Sequence, residues 1–432
     1  MFVNLRALEI GQTSKFERNR VLEEVQKIDS EQILGMDINR IGYVTVGSAS
    51  DVRAWSGLNT HILHALQAAG LQTVVVDDLE SPQLYWPRLK ARIGRRWLGK
   101  SFPLDRDRSI ARRWSEEAAR RLASHADVKC VVSPGTIPIA QLPVRYQTVI
   151  WADATFHSLR TTYSGFERLA RASIESGDWI EQRAYDRSVM VCFSSEWAAA
   201  DAASFYGVPA HKLAVIPYGA NCPPAYADLN AAHSSVRARA RTECRLVFIG
   251  MDWERKGGTL VLEAAHQLRY QGVPVHLSLV GGAPPPNVML PPWIEKVGFL
   301  NKQMRSDWEK WDALLRNAHF LILPSIADCT PIIFSEAAAY AVPSLARDVG
   351  GVSSVVRDGA NGFLFPVSEG AGAYVDLITK LWRDTVTYEK IAISSYLEWE
   401  QRLNWLVAGR QFVDRLQAIS SAASSKSSLQ IK

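Results

Sequence analysis

Two carboxylates stand around the start of an expected helix in the stretch ADCTPIIFSEAAAYAVP, residues 327–343, just after an apolar run. Thr330 suits an N-cap and Pro331 the first helical position, where its missing N–H costs nothing, so the spacing predicts a helix over 331–340. Free N–H groups at its start, those of Ile332 and Ile333 included, suit phosphate oxygens. Asp328 and Glu336 would repel such oxygens, and their natural partners are hydroxyls, which donate strongly to carboxylates. Phosphate-binding N–H groups beside hydroxyl-binding acids point to a nucleotide sugar. Acids serving only the helix dipole would account for Asp328, but poorly for Glu336, a turn further in among Ala and Phe.

Further loops carry chemistry-bearing residues. In GMDWERKGG, residues 250–258, Arg255 and Lys256 follow Gly250 and precede a glycine pair and an apolar helix. Cations at a helix N-terminus oppose its dipole, and an anionic ligand would remove the conflict; a solvated basic loop is the alternative. In SASDVRAWSGLNTH, residues 48–61, Ser56 and Gly57 stand where a helix begins, free to let the backbone approach an anion or simply to turn. No G-x-G-x-x-G fingerprint accompanies them, so a hydride-transferring dinucleotide fold loses support. In RDVGGVSSVVRDGANG, residues 347–362, Gly350-Gly351 opens a short helix, either as a plain start or as a ligand contact.

The elements that must position these loops alternate between strand and helix. RIGYVTVGS (40–48), LQTVVVDD (71–78), KCVVSPG (129–135), YQTVIWAD (146–153) and SVMVCFSS (188–195) read as buried strands, and LNTHILHALQAAG (58–70) as an amphipathic helix. KLAVIPYGANCPP (212–224) is a last strand and a linker without periodicity. The alternation restarts at CRLVFIG (244–250), continues through VPVHLSLVGG (273–282) with Gly281 closing a strand, and ends with HFLILPS (319–325), VPSLARDVGG (342–351) and GFLFP (362–366). Such alternation predicts an α/β chain with two Rossmann-like units, each a parallel sheet covered on both faces. Ligands bind beyond the carboxyl ends of such strands, which is where the singled-out loops lie. The expected division is a helical arm at 1–38 with no function assigned, units at 39–219 and 220–394, one long amphipathic helix within 395–418, and a disordered Ser-rich tail at 419–432.

At 432 residues the chain calls for more than one core. The N-terminus lacks the basic-then-apolar run of a signal peptide, and no stretch approaches the length of a membrane span. Its five cysteines are scattered and odd in number without metal-type spacing, which fits buried thiols in a reducing cytoplasm. The net charge of +5 is concentrated in residues 87–122, where Arg and Lys interleave with Trp and Phe. Three readings compete there: a solvated helical face, a peripheral contact with the inner membrane face or an anionic acceptor, and nucleic-acid binding, the last without any supporting motif.

The second half resembles the nucleotide-sugar glycosyltransferases of family four, retaining enzymes with the GT-B fold. The resemblance runs through FIGMDWERKGGTLVLEAA, VGFL and LLRNAHFLILPSIADCTPIIFSEAAAYAVPSLARDVGGVSSVVRDGANGFLFP, nearly all of 244–366 in order. RAWSGLNTHILHALQAAG and FSSEWAAADAASFYGVPAHKLAVIPYGAN are similar to segments of its first half. The resemblance implies that the family's E-x7-E motif falls on Asp328 and Glu336, with Glu336 on the ribose hydroxyls and the first acid near the transferred sugar. It implies that Lys256 neutralises the diphosphate, that Gly57 faces it, and that the closing helix crosses back onto the first unit. Where relatives carry a histidine near the sugar, WADATFHSL offers Asp153 or His157. Three departures stand out: Asp at the first motif acid, Pro331 and Ala341 where glycine is usual, and Met251 where an arginine often follows, leaving Arg255 to supply the second charge. The implied activity is metal-independent and cofactor-free transfer of a sugar from a nucleoside diphosphate sugar to a glycan, lipid-linked or small-molecule acceptor. A nucleotide-sugar epimerase or hydrolase on the same fold, and a non-catalytic sensor, are the rivals; no carboxylate pair has glycosidase-like placement.

Overall fold

The computed structural model describes residues 38–52, 54–79 and 100–430, with side chains given up to residue 421. The expected arm at 1–38 lies almost wholly outside the described residues, as does the first part of the basic stretch, 87–99.

The first half builds a parallel sheet from β1 (Arg40–Val44), β2 (Gln72–Val76), β3 (Cys130–Ser133), β4 (Gln147–Ala152), β5 (Ser188–Phe193) and β6 (Leu213–Val215), in the order β2-β1-β3-β4-β5-β6. Its central strands β3 and β4 are buried almost throughout, as apolar runs between two helical layers require. The helices around it include α1 (Leu58–Ala68), α2 (Arg108–Leu122), α3 (Phe156–Thr162), α4 (Arg171–Arg187) and α5 (Glu196–Ser204). α2 contains the described end of the basic stretch. It buries Ile110, Ala111, Trp114, Ala118 and Leu122 in the core of this half, while Arg112, Arg120 and Arg121 pair with Glu116 and Glu117. The described end of the stretch is thus an amphipathic helix whose outer face carries ion pairs.

The second half repeats the design. Its sheet runs β12-β11-β10-β7-β8-β9, from β7 (Cys244–Gly250), β8 (Val275–Gly281), β9 (Ile294–Gly298), β10 (Phe320–Leu323), β11 (Ser344–Arg347) and β12 (Gly362–Phe365). Helices α6 (Leu229–Ala238), α7 (Gly258–Tyr270), α8 (Arg305–Asn317), α9 (Ile332–Ala339) and α10 (Ala371–Arg383) surround it. Two parallel sheets with helices around them confirm the expected two-unit Rossmann-like architecture.

The end of the chain differs from the single helix expected. α11 (Thr385–Gln401) packs Tyr388, Ala392, Tyr396 and Trp399 into the second core, and α12 (Trp405–Gln430) packs Ala408, Phe412 and Leu416 into the first. The break falls between them because Asn404 caps the second helix, its Oδ1 accepting the N–H of Val407 at 3.0 Å. The crossing is tight: a Cβ on Gly219 would lie 2.2 Å from the backbone N of Trp405, and one on Gly409 2.4 Å from the carbonyl of Ala65. The expected disordered tail is helical as far as Gln430. Among the described residues no helix is long and apolar enough to cross a membrane.

Candidate active site

A cleft of about 970 Å³ opens between the carboxyl ends of the two sheets, and most of the singled-out residues meet in it. Ser56, Asp153, Gly250, Arg255, Lys256, Gly281, Asp328, Thr330, Pro331, Ile332, Ile333 and Glu336 all line it. Gly57 lies just behind Ser56, at the start of α1.

The wall from the second half is built on β7, β8, β10 and α9. Gly250 ends β7, and a Cβ there would sit 2.9 Å from Cγ of Lys256, so the bare backbone lets the lysine lie across the strand end. Gly281, at φ 88°, ends β8 with its Cα face 2.7 Å, as measured to an added Cβ, from the carbonyl of Gly250. Lys256 Nζ donates to Asp328 Oδ2 at 2.6 Å, and Arg255 Nη1 stands 3.4 Å from Asp328 Oδ1 while donating to the carbonyl of Ala327 at 2.9 Å. Asp328 thus lines the cleft with each of its oxygens facing a cation. The same contacts answer the conflict of two cations before a helix, since an internal carboxylate offsets them. Each cation keeps donors to spare, because an ammonium has three and a guanidinium five.

The helix after Asp328 begins one residue later than expected. Pro331 occupies the N-cap position without a side-chain bond, and α9 starts at Ile332. Thr330 is not the cap; its hydroxyl lies 2.6 Å from Ser194 Oγ of the first half and bridges the two walls. Gly350 and Gly351 are a packing requirement. A Cβ on Gly350, at φ 52°, would lie 1.9 Å from the carbonyl of Asp328, and one on Gly351 2.2 Å from that of Cys329. Ala341, where relatives favour glycine, adopts φ 54°, a left-handed position unfavourable for a side chain. The buried Arg239 secures that end of α9, donating to the carbonyls of Tyr340 at 2.6 Å and Ala341 at 2.9 Å.

Glu336 is 3 % exposed and forms an ion pair with Lys302, a residue that sequence reasoning did not single out. Lys302 leaves the loop after β9, passes 4.8 Å over the ring of Trp311, and also donates to the carbonyl of Asn221 at 3.3 Å. Nothing local marked it, because its partner is far along the chain. Tyr163 was missed for the same reason; it reaches across from the first half, with the Arg255 guanidinium 5.4 Å from its ring centre and its hydroxyl 3.3 Å from Cys329 Sγ.

The wall from the first half is different in kind. Asp153 follows β4, and Trp55 Nε1 donates to its Oδ2 at 3.1 Å. The carboxyl touches the open cleft but is otherwise enclosed by protein, and this desolvation pushes its pKa up from 3.8 to about 6. His61, also at the cleft, is held neutral: burial and then the charge of Lys302 lower it to about 4. His157, the alternative to Asp153, does not line the cleft. It sits on α3, where its Nδ1 lies 2.6 Å from Asp201 Oδ1 and its ring stacks on Phe205 at 3.7 Å, contacts that turn it away.

Comparison with known proteins matches both halves of the chain. Residues 57–222 match Glycosyltransferase Family 4, and residues 243–384 match Glycosyl transferases group 1. The D-inositol 3-phosphate glycosyltransferase of Nocardia farcinica is 30% identical over 178 residues, 37% of each chain. The chain spans between 37% and 61% of the length of the curated relatives it matches. Among solved structures, sucrose-phosphate synthase from Thermosynechococcus elongatus superposes with a TM-score of 0.64 at 15% identity, over 89% of this chain and 99% of that one. Anabaena HepE in complex with UDP-glucose does so with a TM-score of 0.55 at 16% identity, over 88% and 99%. With both halves matched and the two sheets arranged as in GT-B structures, the chain belongs to the family 4, group 1 glycosyltransferases.

Proposed function

We propose that the protein transfers a sugar from a nucleoside diphosphate sugar to a hydroxyl of a glycan, lipid-linked or small-molecule acceptor, with retention of anomeric configuration and without a metal. The observation that carries this reading is the pairing of two anion-ready and hydroxyl-ready ends in one cleft: Lys256 and Arg255 gathered at the start of α7, and the buried Glu336 on α9. Charge developing on the departing diphosphate would be met by Lys256, Arg255 and the first N–H groups of α9, fixed in place before the donor arrives. Glu336 would accept from the ribose hydroxyls, with Lys302 balancing its charge. Asp153, on the opposite wall, would contact the transferred sugar. Enclosure between the walls would keep water from competing with the acceptor. All five cysteines are free thiols, four of them buried, which supports a cytoplasmic setting.

UDP-glucose, the ligand of the HepE structure, is the first probe, within a panel of nucleoside diphosphate sugars. A binding donor should raise the melting temperature, and turnover should require an acceptor. Donor consumed without acceptor would indicate a hydrolase or epimerase, and binding without turnover a sensor. No nucleotide sugar binding at millimolar concentration would sink the reading altogether.

A further inference from the structure

The loop that carries Trp55 holds unusual backbone. Trp55 (φ 47°, ψ 45°), Ser56 (φ 55°, ψ 25°) and Gly57 (φ 77°, ψ 8°) stand consecutively in the left-handed region. Only glycine is at ease there, and a bulky aromatic persists only where its surroundings over-determine it. Two contacts do so. The indole Nε1 donates to Asp153 Oδ2 at 3.1 Å, and Asn221 Nδ2 donates to the carbonyl of Ser56 at 2.6 Å. Asn221 is itself fixed from two sides: its Oδ1 accepts from Trp405 Nε1 at 2.8 Å, and its carbonyl from Lys302 Nζ at 3.3 Å. Lys302 then reaches Glu336. A chain of polar contacts thus joins the acid of one wall to the acid of the other through Asn221 of the linker, which the first residue of α12 braces from the side.

We propose that Trp55 is a positioning residue for Asp153, held in its left-handed conformation by Asn221, so that the linker and the crossing helix aim the carboxylate. Among the described residues no cation pairs with Asp153; its ionised form is favoured by the indole N–H of Trp55 and by the backbone N–H groups of Asp153 and Ala154, while Tyr218 of the linker and Cys329 of the opposite wall are the ionisable neighbours that feel its charge. Beside those local backbone N–H groups, the indole N–H is the side-chain donor that reaches Asp153 from another element, and it favours one orientation and the ionised form. The inference rests on the role given to Asp153 in the proposed function, but its geometry can be tested without turnover.

The test is the Trp55→Phe variant, which keeps a ring and removes the N–H. In the free protein with 13C-labelled aspartate, assigned through Asp153→Asn, the carboxyl midpoint should rise from about 6 by roughly half a unit to one unit. Asn221→Ala should move it the same way by less. The double variant should move it no further than Trp55→Phe alone, because both act through one contact. With UDP-glucose as donor, the acid limb of kcat should shift in step while donor affinity stays unchanged. An unmoved midpoint in Trp55→Phe, or an additive shift in the double variant, overturns the proposal. Trp55→Phe decides alone if Asn221→Ala does not fold. A wild-type protein that leaves every nucleotide sugar untouched counts against the proposed function, while the titration still judges the role of Trp55.

Discussion

The two walls of the cleft handle charge in opposite ways. On the α9 side each acid already has its cation: Asp328 meets Lys256 and Arg255, and Glu336 meets Lys302. On the β4 side Asp153 has an indole N–H and a strained loop, and desolvation raises its pKa. A wall of neutralised pairs is stable as it stands, and an arriving anion can share its cations without a large rearrangement. A wall with a desolvated carboxyl that has N–H donors but no cation is less stable, and it persists where function gains from that arrangement. Electrostatic preparation therefore lies on the α9 side, and stored strain on the β4 side.

The largest effect should come from Lys256→Ala, which breaks the prepared wall. Losing the cation that the proposed reaction sets against the leaving diphosphate should lower kcat/KM by roughly 10²–10³-fold, by analogy with removing one oxyanion donor. Stability should fall as well, by roughly 2 kcal/mol rather than the ~3–5 of a fully broken buried pair, because Arg255 still stands 3.4 Å from Asp328. Steady-state kinetics with the donor identified in the nucleotide-sugar panel, beside thermal melting, measure both. Unchanged kinetics would remove Lys256 from the diphosphate. Next in size is Gly350→Ala, which touches no ligand. Its Cβ would overlap the carbonyl of Asp328 at 1.9 Å and would be left-handed at φ 52°, so the Asp328 loop must move. A loss of roughly 2–4 kcal/mol of stability and a tenfold or greater loss of activity are expected. A variant with native melting and full activity would show that the loop is not held from behind.

Asp153→Asn tests the other wall, and here stability and activity should part. The folded-state pKa lies above the ordinary value of 3.8, so the fold binds the proton more tightly than the unfolded chain does. The stability linked to this group is complete below about pH 4 and declines as pH rises towards about 6, above which the ionised carboxyl is a standing penalty. Removing the charge should therefore raise stability at pH 7–8 by about 1–3 kcal/mol, allowing for water in the cleft, and make little difference near pH 4. Activity of the wild type should fall as pH drops through about 6, while that of the variant should be low throughout. A variant less stable than wild type at neutral pH would contradict the desolvated carboxyl.

The two walls also differed in how much of them could be read from sequence. Lys256, Arg255 and Glu336 were legible because local rules act on them: helix starts, dipoles, and an acid misplaced among apolar neighbours. Their partners were not. Lys302 meets Glu336, and Asn221 meets both Ser56 and Trp405, across distances in the chain where spacing carries no information. Trp55 was passed over because left-handed backbone is read from glycine, and here the first two of three such residues carry side chains. The strands of both sheets were legible as apolar runs except β9, whose IEKVG has only one buried position at its start and an exposed middle. The break in the closing helix had a signal, Asn404, which was hidden inside a continuous amphipathic pattern.

The smallest effect should belong to His157→Ala, and its smallness is informative. Sequence offered Asp153 or His157 for the place near the sugar, with a plain surface histidine as the other reading of His157. The structure separates them by what each can reach. His157 is the second residue of α3, with Asp201 2.6 Å from its Nδ1 and Phe205 stacked on its ring, so its polar and apolar faces are both engaged away from the cleft. Replacing it should cost about 1 kcal/mol of stability through the lost hydrogen bond and ring contact. Asp201 keeps its bond to Thr155, which limits the damage. kcat/KM should stay within about twofold of wild type, since RT ln 2 is small beside the effects expected at Lys256. A tenfold fall in kcat/KM with unchanged melting would mean that the histidine swings into the cleft when substrate binds, and the β4 wall would then act through two residues rather than through Asp153.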